Sequence, residues 1–376
     1  MKEWVEISEL RDLLDKILTL RNINNDYKEF IYEDFIQAEL EERKTHGVGK
    51  VLLMDDALKR KKESIINEIL EAELSGKEKV GLARMLLLDN ELKNRESNVE
   101  LVKEFGNYAL FNGHKELGHI AALTCVDKVV ELAKKHGNAI VGLTNASRYG
   151  RLKPFARKIA ENNLIGIVMN NGGPAAVTAY GGISPILGTN PICFGFPSNN
   201  EDPYLFDFST SKCVWGEIRQ SKLENKNLPE ECFLNTDGQF TLDPDQANAV
   251  VAFGGVKGFV LCYAIEILAG AFTGAKMGLQ VEDEYDLGFT FMAFSPEMFG
   301  NIEDFKNKLK VLENEIKSSV KNETTEKIYI PGEVSKEKFE NNMKVGKIQV
   351  DSEILNMLKQ MAVSLDGGIK STNQMN

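Results

Sequence analysis

The chain has 376 residues, 43% hydrophobic and 27% charged, the balance of a soluble globular protein. Forty-five Lys and Arg against 56 Asp and Glu leave a formal charge of −11. That charge argues against general binding to nucleic acid or an anionic membrane, though a local basic pocket for a small anion is compatible with it.

In chain order, the first stretch, "MKEWVEISELRDLLDKIL", carries charges throughout and has no signal-peptide core. Residues 1–104 read as helix after helix, with apolar residues three and four apart in "ISELRDLLDKIL" and "YKEFIYEDFIQAELEERK". Residues 55–100 are highly charged and read as solvated helix and connection. The pattern changes near residue 105. "GHIAALTCVDKVVELAKKHG" predicts an amphipathic helix closed by Gly137. "NAIVGLTNAS" predicts a buried strand, "RLKPFARKIAENN" a helix with Pro154 in its first turn, and "LIGIVMNN" another strand. Next comes "NNGGPAAVTAYGGISPILGTNPICFGFP", residues 170–197, with six glycines and four prolines around a strand, "ICFGF". Backbone of that composition is a loop that something approaches closely. "YLFDFSTS" and "YDLGFTFMAF" supply later strands. The apolar stretch 259–272 is too short to span a bilayer and contains Glu266, so it reads as a buried helix. "IEDFKNKLKVLENEIKSSVKN" predicts a long surface helix, "KIYIPGE" a short strand ending in a tight turn, and "SEILNMLKQM" a last helix.

The five cysteines, Cys125, Cys193, Cys213, Cys232 and Cys262, include no C-x-x-C pair and read as reduced, mostly buried thiols of a cytoplasmic protein. No G-x-G-x-x-G follows a strand, and neither a phosphate-binding G-x-x-x-x-G-K-[ST] nor a G-x-S-x-G elbow occurs. The four histidines are not spaced for a metal, and none is expected. Several residues keep two readings. His46, in "EERKTHGVGK", is either a histidine satisfied at a helix end or a general acid. Asp207, in "YLFDFSTS", either caps a helix beginning in "STSKCVWGEI" or orients a histidine. Arg148, Arg151 and Lys153 form either a solvated helix start or a site for an anion, since cations in a first turn oppose the helix dipole. Lys257, among the glycines of "FGGVKGF", is part of an ordinary turn or a phosphate contact.

Together "THGVGK" (45–50), "LGHIAALTCVDKVVELAKKHG" (117–137), "NASRYG" (145–150), the 170–197 run, "LFDFSTS" (205–211), "WGEI" (215–218), "FGGVKGF" (253–259), "EILAGAFTGA" (266–275) and "IPGE" (330–333) make the chain resemble the malate/L-lactate dehydrogenase family that lacks a Rossmann fold. The resemblance implies an α/β fold with a mixed, largely antiparallel sheet flanked by helices, and a helical domain built from both chain ends. The implied division is 1–105 (N-terminal helical domain), 106–298 (cofactor domain) and 299–376 (packing back on the N-terminal domain). It implies NAD or NADP as cofactor, a small 2-hydroxy or 2-oxo acid as substrate, and a homodimer. By position His46 is the acid that protonates the carbonyl oxygen of a 2-oxo acid, and Asp207 orients and charges it. Thr45 stands at the serine of the family's Ser-His-Gly. Asn171, Gly172, Asp207, Phe208, Ser209, Lys257, Pro331, Gly332 and Glu333 correspond to cofactor contacts. Two substrate positions depart from the family: Lys50 stands where many members have arginine, and Arg148 where many have histidine. Arginine cannot donate a proton near neutral pH, and the added cation points to a second anionic group on the substrate, as in malate, oxaloacetate or a sulfonate. Lactate, a sugar-derived 2-oxo acid, a cyclic imine carboxylate and a catalytically silent homologue are the alternatives.

Overall fold

The computed structural model describes residues 2–20, 43–44, 76–77, 99–352 except 117, 148, 150, 201 and 284, and also 355–356 and 359–360. The chain divides into two compact units, 1–96 with 334–376, and 97–333. Residues 299–333, grouped by sequence with the C-terminal segment, therefore lie in the second unit.

In the first unit the two ends of the chain pair. Strand β1 (Lys2–Glu6) runs antiparallel to β16 (Lys347–Asp351), with Val5 opposite Ile348. Helix α1 (Ile7–Leu20) follows β1, and its first N–H donates to Gly346 O at 3.0 Å. Helix α7 (Glu333–Val345) leads into β16. A short parallel pair joins β2 (Arg43–Lys44) to β3 (Gly76–Lys77). The strands at 2–6 and 100–105 correct the expectation of helix throughout residues 1–104.

The second unit is built on a seven-stranded sheet. Its strands are β4 (Glu100–Phe105), β5 (Tyr108–Asn112), β6 (Asn138–Ala146), β7 (Ile165–Asn170), β10 (Ile192–Phe196), β11 (Tyr204–Phe208) and β15 (Leu287–Phe294), in the order β11-β10-β7-β15-β6-β5-β4. Only β5–β6 is parallel; the other pairs are antiparallel. The period-2 alternation of strands divides the residues between two cores. Val168, Phe289 and Phe291 face one side, against helices α2 (Gly118–His136) and α3 (Lys153–Glu161), whose Val126, Val129, Phe155 and Ile159 complete that core. Ile167, Met169 and Met292 face the other side with Leu261 and Ile265 of helix α5 (Val256–Glu266).

A smaller sheet orders β13 (Phe240–Thr241), β12 (Phe233–Leu234), β14 (Ala249–Val250), β8 (Val177–Thr178) and β9 (Pro185–Leu187). Helix α4 (Gly216–Glu224) precedes β12, and α6 (Ile302–Ser318) follows β15. The fold is the mixed, largely antiparallel α/β arrangement expected.

Two local expectations need correction. Residues 327–330 form no strand, although the turn after them is present, with Gly332 at φ +96°. The stretch 259–272 is not a buried helix: Val260 is 60% and Tyr263 54% exposed. Its α-helix also widens into a π turn at Ile267–Ala271. Carbonyls there are taken by hydroxyls, Thr273 Oγ1 donating to Ala269 O at 2.7 Å and Thr290 Oγ1 to Leu268 O at 2.6 Å.

Candidate active site

The glycine-rich run first approaches itself. A Cβ on Gly172 would lie 2.5 Å from Asn190 N and 2.6 Å from Thr189 Oγ1, and one on Gly188 would lie 2.9 Å from Gly173 O. The limbs "NNGGP" and "LGTNP" therefore touch backbone to backbone, which only glycine permits. Asn170 and Asn171 pin the first limb to β15. Asn170 Nδ2 donates to Gly288 O at 2.8 Å, Asn171 Nδ2 to Lys276 O at 2.7 Å, and Gly288 N–H to Asn171 Oδ1 at 2.7 Å. Both polar atoms of the Asn171 side chain are thus engaged by backbone. Asn190 pins the second limb, its Nδ2 donating to Cys262 O at 2.9 Å and to Glu266 Oε2 at 2.7 Å. Glu266 is buried, which pushes its carboxyl up, against the hydrogen bonds from Gly278 N–H and Asn190.

The block "DFSTS" attaches to this loop. Thr189 O accepts from Ser209 Oγ at 2.8 Å and from Thr210 Oγ1 at 3.0 Å, and Ser209 Oγ lies 2.6 Å from Ser211 Oγ. Phe253 N–H donates to Thr210 O at 3.0 Å, and the rings of Phe208 and Phe253 meet edge-on with centroids 6.0 Å apart. From Phe253 the chain passes Gly254 and Gly255, both at positive φ, and enters α5. Among the described residues no side chain caps that helix, and Lys257 in its first turn is exposed. At the other side of β11, Gly332 lies 3.7 Å, measured from its ideal Cβ, from Leu205 O. Glu333 closes that turn by accepting from Ile330 N–H at 3.0 Å and pairs with Lys317.

Lys317 also belongs to a network that holds α6 on β11. Glu313 accepts from Tyr204 Oη at 2.5 Å, Lys317 Nζ at 2.6 Å, Lys310 Nζ at 3.1 Å and Asn200 Nδ2 at 3.2 Å. Burial acts to raise the Glu313 carboxyl, but these donors outweigh it and bring it down to about 2. Burial and the same carboxylate push the Tyr204 phenol up to about 12.

Asp207 is a cap, though not for the helix expected from its neighbourhood. Its Oδ2 accepts the backbone N–H of Lys153 at 3.1 Å, so it satisfies the first turn of α3, 54 residues away. Two glycines make that reach possible. Gly166 and Gly195 are register partners on β7 and β10, and α3 crosses over them. A Cβ on Gly195 would lie 2.5 Å from Ala156 O, and one on Gly166 2.9 Å from Ile159 Cβ. Arg151 and Lys153, expected either at a solvated helix start or beside an anion, are 2% and 5% exposed, which removes the solvated alternative for both.

Gly172, Ser209 and Phe208 are joined through Thr189, Thr210 and Phe253, and Gly332 lies beside β11, the edge strand of the large sheet, whereas Asn171 is held at the β15 end and Lys257 lies in the first turn of α5. Thr45, His46, Lys50 and Arg148 lie outside the described residues. Sequence reasoning missed Thr189, Thr210, Asn190 and Glu266, which build the scaffold under this edge. Their signal was "LGTNP" together with a carboxylate inside an apolar stretch. Among the described residues no group of His, Cys, Asp and Glu could hold a metal ion, and no helix is long and apolar enough to cross a membrane.

The profile of a family described as malate/L-lactate dehydrogenase matches residues 58–359. A malate/(S)-sulfolactate dehydrogenase of Methanothermus fervidus is 30% identical over 95% of this chain and 97% of its own length. A malate dehydrogenase of Pyrococcus abyssi is 30% identical over 70% of this chain and 76% of its own. The solved sulfolactate dehydrogenase of Methanocaldococcus jannaschii superimposes with a TM-score of 0.76 at 25% identity, covering 97% of this chain and 98% of that one.

Proposed function

The chain belongs to the malate/L-lactate dehydrogenase family, and on that premise we propose that this 2-hydroxy acid dehydrogenase uses NAD or NADP and acts on a substrate with two anionic groups. The observation that carries the reading is a chain of contacts: the 172–173 limb touches the 188–190 limb, Thr189 holds Ser209 and Thr210, Thr210 holds Phe253 ahead of α5, and Gly332 lies beside Leu205 of β11. The β11 edge suits an anionic dinucleotide. The first turn of α5 has no side-chain cap among the described residues, follows two glycines and presents Lys257, an arrangement that favours a phosphate or pyrophosphate. Lys257 and that turn would hold the cofactor's phosphates, and Phe208, Ser209 and the turn 331–333 would border it. When bound, the cofactor supplies or accepts the hydride.

His46 is the assigned acid, by its place in "THG". It gives its proton to the carbonyl oxygen in reduction and recovers it in oxidation. Asp207 is the assigned carboxylate partner. One oxygen accepts from Lys153 N–H, and among the described residues no donor to the other is found. Lys50 and Arg148 are the assigned cations for the substrate. Two cations match malate and sulfolactate, which carry a carboxylate or sulfonate beside the 2-hydroxy acid and for which the Methanothermus fervidus relative is named. A homodimer in the cytoplasm completes the assignment.

The test is a panel of oxaloacetate, 3-sulfopyruvate and pyruvate with NADH and with NADPH, followed by nicotinamide absorbance. One dianion should exceed pyruvate in kcat/KM by about tenfold or more, the worth of one charge-assisted contact. Equal values for all three would overturn the two-anion reading, and no turnover with either cofactor would overturn the enzyme assignment.

A further inference from the structure

Two of the five reduced thiols stand together. Cys213 Sγ and Cys232 Sγ are 2.6 Å apart, although 19 residues separate them in sequence. Contacts on each side hold the two segments in register. Lys212 and Glu231, the residues just before the two cysteines, form an ion pair at 3.2 Å. Val251 lies between their backbones, accepting from Lys212 N–H at 2.9 Å and donating to Cys232 O at 3.0 Å. Just beyond, the rings of Trp215 and Phe233 meet edge-on with centroids 6.4 Å apart. The sulfurs thus sit on a prepared backbone frame, and only a small movement separates them from a bonded S–S distance of roughly 2.05 Å. Cys232 is buried, as are Cys125, Cys193 and Cys262, whereas Cys213 is half-buried; burial pushes the Cys262 thiol up to about 11.

We propose that Cys213 and Cys232 form a reversible disulfide when the protein meets a low-molecular-weight disulfide. Cys213 is only half-buried and is the sulfur such a reagent reaches first. Its thiolate attacks one sulfur of the reagent, forming a mixed disulfide and releasing one small thiol. The Cys232 thiolate then attacks the Cys213 sulfur and expels the second small thiol. The two cysteines lose two electrons and two protons, and the reagent is reduced to two thiols. The new bond ties the segment following Ser209, Thr210 and Ser211 to the residue that leads into β12 of the smaller sheet. It would make the hold on the β11 edge responsive to redox conditions.

The full-length protein is incubated with oxidised glutathione, denatured, alkylated and mapped without reduction. Two of the five thiols should be lost, as one peptide pair joining Cys213 to Cys232, and dithiothreitol should restore both. Cys232→Ser should stop the reaction with glutathione held on Cys213, and Cys213→Ser should leave Cys232 alkylated. Five alkylated thiols in the natural protein, a disulfide between any other pair, or glutathione remaining on Cys213 there would overturn the proposal. The map of the natural protein decides even if a variant fails to fold.

Discussion

At the start of α3, Lys153 is buried and its backbone N–H is taken by Asp207 of β11; at the start of α5, Lys257 is exposed and, among the described residues, no side chain caps the first turn. Both helices place a lysine where the dipole disfavours it. In the first case the protein supplies the compensating carboxylate itself. In the second, two glycines at positive φ lead into the helix and no described side chain answers its positive end. The difference separates a helix start that positions a strand from the one to which the proposed function assigns the cofactor's phosphates.

The largest effect expected concerns Asp207. Asp207→Asn keeps an oxygen for Lys153 N–H but removes the charge, so kcat should fall about 10²–10⁴-fold with little change in melting temperature. Asp207→Ala should lose the same activity and about 1 kcal/mol of stability as well, read from the urea midpoint. Near-wild-type kcat in both, or in His46→Ala, would remove the pair from catalysis. Next comes the α3 crossing. Gly195→Ala sets a methyl against the Ala156 carbonyl and should cost about 1–3 kcal/mol by overpacking. At the α5 start, Gly254→Ala meets no atom within 4 Å and should cost only the positive-φ penalty, about 1 kcal/mol. Equal losses would erase the contrast.

Glu313 anchors β11 from α6, and Glu313→Gln should cost about 2 kcal/mol at neutral pH. Its folded carboxyl lies at about 2, below the ordinary 4.5, so the stabilisation is complete above 4.5 and disappears as pH falls through about 2. Denaturation curves of parent and variant should therefore converge over that window. The smallest effect is Lys257→Ala. It should raise KM for the nicotinamide cofactor several-fold, about 1 kcal/mol, with an unchanged melting temperature. A fall in stability without a change in KM would place Lys257 with Lys153.

Sequence showed the long central elements well, because β7, β15, α2 and α3 carry enough residues for their periodicity to register. It missed β1 and the β4–β5 hairpin, where "ELVKEFGNYALFN" mixes charges with apolar residues and β4 is exposed throughout. The smaller sheet is made of strands two or three residues long, too short to show alternation. The positions around the β11 edge were legible as a family pattern, but the bonds that hold them were not. Asp207 and Lys153 are 54 residues apart, and Asn190 and Glu266 are 76 apart. Local propensity contains nothing about such pairs.

The π turn at Ile267–Ala271 makes chain length itself a constraint. An α-helix turns about 100° per residue, so removing one residue there would swing the preceding helix around the axis by that angle relative to the residues after the turn. Glu266 would leave Gly278, and Thr290 would face a different carbonyl. A one-residue deletion in this turn should therefore damage the protein more than any conservative exchange of its five side chains.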